Sequence, residues 1–248
     1  LWVSKGRSQA SANRARGDGL ENCQTLGELL VLADIALAVC PPHAAVELSQ
    51  LVMAEGFGGI YVDANAVAPD TIDRIASVVA PGADLVDGGI IGPPARAPGS
   101  TRLYLSGSRA PEVAALFDGS LLEAHTIDEV PGRASALKMC YAAWTKGSAA
   151  LLLAVAGLAR AEGVEDVLRQ EWDKSQPQLP AKLETAVKSS VPKAWRFSGE
   201  MLQIADTFEA QGLPDGFHQA AADIYERLAG FKDGSSLETD DVLEALCK

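Results

Sequence analysis

A lysine embedded in an apolar helix is the residue of this sequence best suited to chemistry. Lys138 lies between Leu137 and Met139, in a stretch composed mainly of alanine and leucine. Burying a lysine as a cation is costly because the ammonium group loses its hydration. A desolvated lysine therefore has a lowered pKa, which suits proton transfer near neutral pH. We predict that Lys138 acts as a general acid or base.

A narrow polar stripe accompanies this lysine along its helix. At about 100° per residue, Tyr141, Thr145 and Lys146 fall on roughly the same side as Lys138, while the other sides carry apolar residues. Tyr141 and Thr145 are therefore candidate substrate-binding residues. The structural alternative is a lysine near a helix start that lays its stem along apolar neighbours and reaches solvent with its amine.

Two further candidate sites follow predicted strands. Residues 88–99 are rich in glycine and proline and come directly after a buried strand that ends at Asp87. Open α/β sheets bind ligands beyond the carboxyl ends of their strands, and glycine allows a close approach of the backbone. We predict that this loop binds substrate, with an ordinary surface loop as the alternative. Asn65 follows another strand and either contacts a ligand or caps the turn.

A cationic turn lies near the beginning of the sequence. Ser4, Lys5, Arg7 and Ser8 follow residues 2–3, which are typical of a strand end. Dinucleotide sites usually have an acidic residue at this turn, whereas a basic residue suits a ribose 2′-phosphate. We therefore predict that these four residues bind the cofactor, and a solvated turn is the alternative.

Strands and helices that would position these residues alternate along the first half. Buried strands are indicated by short apolar runs, and helices by apolar residues every three or four positions. The alternation predicts a doubly wound parallel sheet with helices on both faces. We predict strands at 33–39, 59–63, 84–87, 103–106 and 121–125, and helices at 9–16, 43–54, 69–79 and 111–117.

The second half of the sequence predicts helices only, separated by proline and glycine. They are expected at residues 134–160, 163–173, 180–189, 193–211, 215–229 and 239–247. The domain prediction is thus an α/β domain at 1–127 and an all-α domain at 128–248. No strand is followed by G-x-G-x-x-G and a helix, so we expect the α/β domain to be incomplete at its N-terminus, without its first strand and glycine loop.

Composition excludes several classes of function. There are 33 acidic and 21 basic residues, a net charge of −12, with no basic run, so nucleic acid is not expected as a partner. The four cysteines and three histidines show no metal-ligand spacing, and no zinc site is predicted. The apolar run at 147–159 is too short for a membrane span, and no signal peptide is visible. We expect a cytoplasmic protein with reduced thiols.

Taken in this order, the segments resemble the β-hydroxyacid dehydrogenase superfamily, which includes 3-hydroxyisobutyrate and 6-phosphogluconate dehydrogenases. The resemblance covers nearly the whole chain. The family's catalytic lysine lies in the motif G-x-G-x-x-x-K-x-x-N-N, of which Gly132 and Lys138 are present. Residues 138–147 and 193–197 are most similar to a 6-phosphogluconate dehydrogenase-like subgroup. The resemblance implies a Rossmann-like domain followed by a helical substrate and dimerisation domain.

Several positions depart from the family pattern. Ala142 replaces the asparagine that follows the lysine by four residues. Ile91, Gly92 and Pro93 stand where the family has Ser-Gly-Gly, so the serine is lost. Because groups that bind a carboxylate are altered, a simple 3-hydroxy acid is not the expected substrate. Glu200 falls where the family has the aspartate of a Lys-Asp pair.

The resemblance implies an NADP-preferring oxidoreductase, with NAD possible, that transfers hydride between nicotinamide and a small hydroxy acid or related alcohol. Lys138 would serve as general acid and base. Asn65, at the position of a family Ser-Thr pair near the nicotinamide, and residues 91–93 would hold the substrate. Cys40, Pro41 and Pro42 would border the nicotinamide ribose.

Two alternatives remain open at this point. The lost serine and asparagine are compatible with an imine or small-aldehyde reductase on the same scaffold. The missing glycine loop is compatible with a non-catalytic NADP-binding dimeric protein. Members of the superfamily commonly dimerise through the helical domain, and the apolar helix at 147–159 suits such a homodimer interface as well as a monomer's core.

Overall fold

The computed structural model describes residues 1–232 and 237–247, and the chain forms two compact units. The first unit spans Leu1–Ala136 and the second Leu137–Lys248. The boundary lies within a long helix, later in the chain than the predicted boundary after residue 127. The first unit contains strands and helices, and the described residues of the second unit form helices.

The first unit alternates strands and helices, as the sequence predicts. Two short elements are absent from the sequence-based assignment: a strand at Asn22–Cys23, and a helix that starts at a capping box formed by Thr25 and Glu28. The elements are β1 (Trp2–Val3), α1 (Gln9–Gly17), β2 (Asn22–Cys23), α2 (Leu26–Leu32), β3 (Ile35–Ala38), α3 (Ala45–Ala54), β4 (Ile60–Asp63), α4 (Pro69–Val79), β5 (Asp84–Ile91), β6 (Thr101–Ser106), α5 (Ala110–Ala115) and β7 (Leu122–Asp128).

The strands form two sheets. β1 and β2 pair in parallel, and a five-stranded sheet has the order β3-β4-β5-β6-β7. β3, β4 and β5 are parallel, with Asp63 of β4 opposite Asp87 of β5. The predicted α/β fold is confirmed, with one difference: β6 is antiparallel to β5, and β7 follows the direction of β6.

The predicted loop at 88–99 is shorter than expected, and its first part was wrongly assigned. Gly88 to Ile91 continue β5, because they pair with β6: Gly88 lies opposite Leu105 and Ile91 opposite Arg102. The chain then turns at Gly92, where φ is +127°. A Cβ atom at this position would lie 2.3 Å from the carbonyl oxygen of Ser100, so the close approach of two backbone segments requires glycine.

Helices cover both faces of the five-stranded sheet. Side chains alternate along β4, so the sheet has an apolar surface on each face for helices to pack against. Tyr61 points into an apolar cluster with Ile72 and Ile75 of α4. Val62 points to the opposite face, where Val86 and Leu103 belong to a second cluster that includes α5. The predicted doubly wound arrangement therefore rests on two separate apolar layers.

Every regular element among the described residues of the second unit is helical. Two of these helices meet where the Phe197 and Tyr225 rings pack edge to face, with centroids 5.4 Å apart. The Tyr225 hydroxyl also donates to the Lys146 carbonyl at 2.8 Å. The helices are α6 (Arg133–Ala161, which begins in the first unit), α7 (Glu165–Ser175), α8 (Leu179–Ser189), α9 (Ala194–Ala210), α10 (Gly216–Arg227) and α11 (Thr239–Leu246).

The long helix α6 is, by length and composition alone, able to cross a membrane. Core helices of folded domains pass the same test. Met139 and Leu153 of this helix are fully buried, and two lysines, Lys138 and Lys146, lie within it. This pattern is typical of a core helix, and the cytoplasmic location stays a prediction.

Candidate active site

Polar residues lie at or beside the carboxyl ends of β3 and β4 and at the level of β5 opposite them. Cys40 follows β3, Asp63 is the last residue of β4, and Asp87 lies opposite Asp63 in β5. Both carboxylates are fully buried. The carboxyl ends of parallel strands are where open α/β sheets place ligands, so this edge is the candidate site of the first unit.

Asn65 connects the ends of β3 and β4. Its Oδ1 accepts a hydrogen bond from the backbone nitrogen of Cys40 at 2.5 Å. Its Nδ2 and its backbone nitrogen donate to the Asp63 carboxylate at 2.8 Å and 3.1 Å. Because Asn65 is only 3% exposed, this geometry supports the predicted capping role of Asn65 over direct contact with a substrate.

Arg7 and Cys40, two predicted cofactor-binding residues distant in sequence, are brought together. Burial raises the pKa of the Cys40 thiol to about 11, Asp63 acts in the same direction, and the charge of Arg7 opposes them. The Arg7 guanidinium is therefore near enough to the end of β3 for its charge to act on Cys40. At neutral pH the Cys40 thiol is protonated, so Cys40 lines this edge without being a nucleophile.

The N-terminal turn is built by short-range hydrogen bonds. The Ser8 hydroxyl caps α1 by accepting from the backbone nitrogen of Ser11 at 3.2 Å. The backbone nitrogen of Ser4 donates to Asn22 of β2 at 3.1 Å. The side chains of Lys5 and Arg7 are exposed between these fixed points, where an incoming phosphate could contact them.

The other predicted contact residues of the first unit fall into two groups. Pro41 and Pro42 lie directly after Cys40, at the start of a 3-10 turn over Pro42–Ala44, and therefore join the candidate edge. Ile91 lies about 13 Å further along β5 than Asp87, from four residues at about 3.3 Å each, and Gly92 and Pro93 follow the end of the strand. There Ile91 is buried, and the Pro93 carbonyl accepts from the Thr101 hydroxyl.

Asp63 was missed as a functional candidate, although an acidic residue at the end of a buried strand was visible in the sequence. Burial raises its pKa to about 6, the two hydrogen bonds from Asn65 oppose that rise, and the nearby Asp87 adds to it. A carboxyl group that titrates near neutral pH at a strand end is typical of functional sites.

Asp87 was also missed, because its partners are far away in the sequence. It accepts hydrogen bonds from the Ser106 hydroxyl, from the backbone nitrogens of Gly132 and Ser135, and from the Ser135 hydroxyl, at 2.6–3.0 Å. The Ser106 oxygen accepts in turn from the backbone nitrogen of Ala134 at 3.0 Å. The sheet thus holds the first turn of α6.

Lys138 lies further along α6, in the second unit, and has the lowered pKa that the sequence predicts. Burial lowers the pKa of its ammonium group from the ordinary 10.5 to about 8. The neighbouring Lys146 adds to the effect, while Glu200 opposes it. A lysine in this state exchanges protons near neutral pH.

Lys146, the second lysine of the polar stripe, is engaged in an ion pair. Its Nζ lies 2.5 Å from Oε2 of Glu200, and the two side chains are 13% and 10% exposed. Nη1 of Arg196 lies 4.0 Å from the other oxygen of the same carboxylate. Tyr141 and Thr145 are instead exposed, and the Thr145 hydroxyl donates to the Tyr141 carbonyl.

Metal ligation is not supported in the part of the chain that the structure describes. No group of three or more His, Cys, Asp or Glu side chains there is arranged to hold a metal ion.

Sequence comparisons reach relatives that have no known activity. Residues 159–228 match a family described as a domain of unknown function, DUF1932. An uncharacterised 28.5 kDa protein of Methanothermus fervidus is 29% identical over 164 residues. That match covers 66% of this chain and 63% of the relative, less than two thirds of its length.

Solved structures share the fold over nearly the whole chain. A conserved protein of unknown function with structural similarity to 3-hydroxyacid dehydrogenases aligns with a TM-score of 0.67 at 23% identity, over 99% of this chain and 89% of its own. A 3-hydroxyisobutyrate dehydrogenase of Salmonella typhimurium aligns with a TM-score of 0.64 at 14% identity, over 96% of this chain and 88% of its own. An imine reductase of Myxococcus stipitatus in complex with NADP+ aligns with a TM-score of 0.56 at 18% identity, over 98% of this chain and 90% of its own.

The chain therefore has the fold of 3-hydroxyacid dehydrogenase-like proteins and imine reductases. This confirms, at the level of the fold, the resemblance that the sequence predicts. At these identities the comparisons establish architecture alone.

The lowered pKa of Lys138 predicts that this residue destabilises the folded protein. We expect Lys138→Met to raise the free energy of unfolding at pH 7 by on the order of 1–3 kcal/mol, since each tenfold loss of proton affinity corresponds to about 1.4 kcal/mol. The folded pKa lies below the unfolded one, so the penalty is complete below pH 8 and disappears as pH rises towards 10.5. Urea denaturation at pH 7 and pH 10 measures both values.

Lys146→Met is the matched control on the same helix. It leaves the buried Glu200 carboxylate without its lysine partner, so the free energy of unfolding should fall. A loss of stability in Lys138→Met equal to that in Lys146→Met would contradict the assignment of a desolvated lysine.

Proposed function

We propose that this protein is an NADP-preferring oxidoreductase that transfers hydride between nicotinamide and a small hydroxy acid or related alcohol. The observation that carries the proposal is Lys138, a partly buried lysine with a pKa of about 8 on a helix whose first turn is held by the sheet. The fold, shared with dehydrogenases and reductases, supports the same reaction class.

Lys138 has the chemistry of a reversible proton donor. When bound, NADPH supplies the hydride in the direction of reduction. The Lys138 ammonium then gives a proton to the carbonyl oxygen of the substrate as negative charge develops there, and an alcohol results. In the direction of oxidation, the neutral amine accepts the proton of the alcohol. Tyr141 and Thr145 on the same helix are proposed to contact the substrate.

The edge of the sheet in the first unit fits a phosphorylated dinucleotide. Arg7, with Lys5 beside it, supplies exposed positive charge for a 2′-phosphate. Ser4 and Ser8 shape the turn, and residues 40–42 together with Asn65 shape the neighbouring loop where the nicotinamide ribose would lie. The imine reductase that shares this fold was solved with NADP+, which supports NADP as the cofactor.

Reduction of an imine on the same scaffold is the second candidate, and one feature favours it. The family's asparagine and serine are replaced by Ala142 and Ile91, both buried and apolar, so two groups that would bind a hydroxy acid are lost. Turnover of a cyclic imine such as 1-pyrroline, without turnover of 3-hydroxy acids, would select this candidate.

The proposed proton transfer predicts a pH dependence for turnover. Reduction needs the protonated lysine, so kcat should fall as pH rises through about 8, and oxidation should show the opposite trend. Lys138→Met should lower kcat at least about 100-fold and leave NADPH binding intact. Initial rates over a panel of hydroxy acids, aldehydes and imines from pH 6 to pH 10 measure these effects. The control is Lys188→Met, which replaces an exposed lysine of α8. Full turnover by Lys138→Met would contradict the role of Lys138 in proton transfer.

A second prediction concerns cofactor preference. We expect tighter binding of NADPH than of NADH, and Arg7→Ala should weaken NADPH binding about tenfold because a charge-assisted contact to phosphate is lost, with little change for NADH. Fluorescence titration of the wild type and the variant with NADPH and with NADH measures the four dissociation constants. Arg14→Ala, in α1 and hydrogen-bonded to Ser11, serves as control. Equal losses of affinity for NADPH and NADH would contradict the proposed contact of Arg7 with the 2′-phosphate.

We also propose a homodimer formed through α6. Leu137, Trp144, Leu151 and Leu158 recur every seven residues and are all exposed, Trp144 by 75%. A seven-residue repeat places them along one side of the helix, over about 32 Å. Apolar stripes of this length on a surface are typical of protein–protein contacts.

The dimer proposal predicts that a charge in the stripe separates the protomers. Trp144→Glu and Leu151→Glu should each convert a dimer to a monomer in sedimentation velocity experiments, because a carboxylate cannot be buried without a partner. Leu116→Glu, an equally exposed leucine of the first unit, is the matched control and should leave the dimer intact. A monomeric wild type would rule the dimer out.

A further inference from the structure

The start of α6 is held by side chains that come from the sheet. The first backbone N–H groups of a helix have no partner within the helix. Gly132, directly before α6, has no side chain with which to cap them. Asp87 of β5 and Ser106 of β6 take over this task for Gly132, Ala134 and Ser135.

Burial raises the pKa of the Asp87 carboxyl, and the hydrogen bonds of this contact oppose that rise by favouring the ionised form. Oδ2 of Asp87 accepts from Gly132 N at 2.8 Å, from Ser135 N at 2.9 Å and from Ser106 Oγ at 3.0 Å, while Oδ1 accepts from Ser135 Oγ at 2.6 Å. All four partners donate, and only a deprotonated carboxyl group accepts without donating in return. The positive end of the α6 dipole further favours negative charge there.

The contact is buried and rigid. Asp87, Ser106, Ala134 and Ser135 are all fully buried, so water cannot replace a lost hydrogen bond. Three of the four donors come from Gly132 and Ser135 at the start of α6, and Lys138 follows Ser135 by three residues on the same continuous helix. Lys138 therefore lies within one helical turn of Ser135, a residue that the sheet holds.

We propose that Asp87, together with Ser106, is a positioning residue for the proton transfer by Lys138. The proposal rests on the proposed oxidoreductase function and adds a residue to it. The proposed role of Asp87 is to hold this turn and not to exchange the proton, since its hydrogen bonds go to Ser106, Gly132 and Ser135. Asp87 holds the first turn of α6, and a shift of that turn would displace the lysine amine that follows it on the helix, which is costly to the rate.

The test compares kcat in conservative variants at three points of the contact. Asp87→Asn keeps the shape and removes the charge, Ser106→Ala removes the acceptor for Ala134, and Ser135→Ala removes the hydroxyl donor. Each should lower kcat about tenfold or more. Active-site concentration is set by NADPH titration, so that kcat refers to correctly folded protein, and each NADPH dissociation constant should change less than twofold.

Asp84→Asn is the matched control on the same strand. Asp84 is half-exposed and pairs with Arg109 at 2.6 Å, so its loss should change kcat less than twofold. The pH midpoint of turnover should stay near that of the wild type in every variant, because the contact places the lysine without titrating with it.

The outcomes separate this proposal from the one on which it rests. If the wild type turns over no substrate of the panel, the proposed function fails and the positioning role fails with it. If the wild type is active and the three variants keep kcat per NADPH site within twofold, with only a lower melting temperature, Asp87 is structural and the positioning proposal alone is overturned. A lower kcat with unchanged NADPH binding and an unchanged pH midpoint supports it.

Discussion

The buried carboxylate of Asp87 is the interaction on which the arrangement of the first unit depends. It lies where β4, β5 and β6 meet, opposite both Asp63 and Ser106. Three of its four hydrogen-bond donors, from Gly132 and Ser135, tie the middle of the sheet to the start of α6, and the fourth, the Ser106 hydroxyl, lies on β6. Removing any donor would leave a buried acceptor short of a partner, which costs about 1–3 kcal/mol. The carboxylate thus couples the geometry of the sheet to the start of the longest helix.

Local sequence patterns were sufficient for most of the fold. The alternation of apolar runs and helical periods predicts the strands of the five-stranded sheet and the helices of the second unit, because both patterns are set by burial of one face. The continuation of β5 through Gly88 and Gly89 was not predictable in this way. Glycine-rich sequence is typical of loops, and only the pairing with β6, a non-local contact, makes these residues a strand.

The candidate site was only partly predictable, again because some of its contacts are non-local. The lowered pKa of Lys138 follows from its apolar neighbours in sequence, so it could be predicted directly. The pairing of Lys146 with Glu200 joins residues 54 positions apart, and the role of Asn65 as a link between two strand ends depends on Cys40. Such contacts arise from tertiary structure, which residue type and spacing along one element do not specify.

The pKa of Lys138 has a consequence for the reversibility of the proposed reaction. With a pKa of about 8, the ammonium and amine forms are both present in appreciable amounts under physiological conditions. A lysine with an ordinary pKa would be almost entirely a proton donor and would favour one direction kinetically. Here the supply of oxidised and reduced cofactor, and of the two carbon substrates, would decide the direction of net flux.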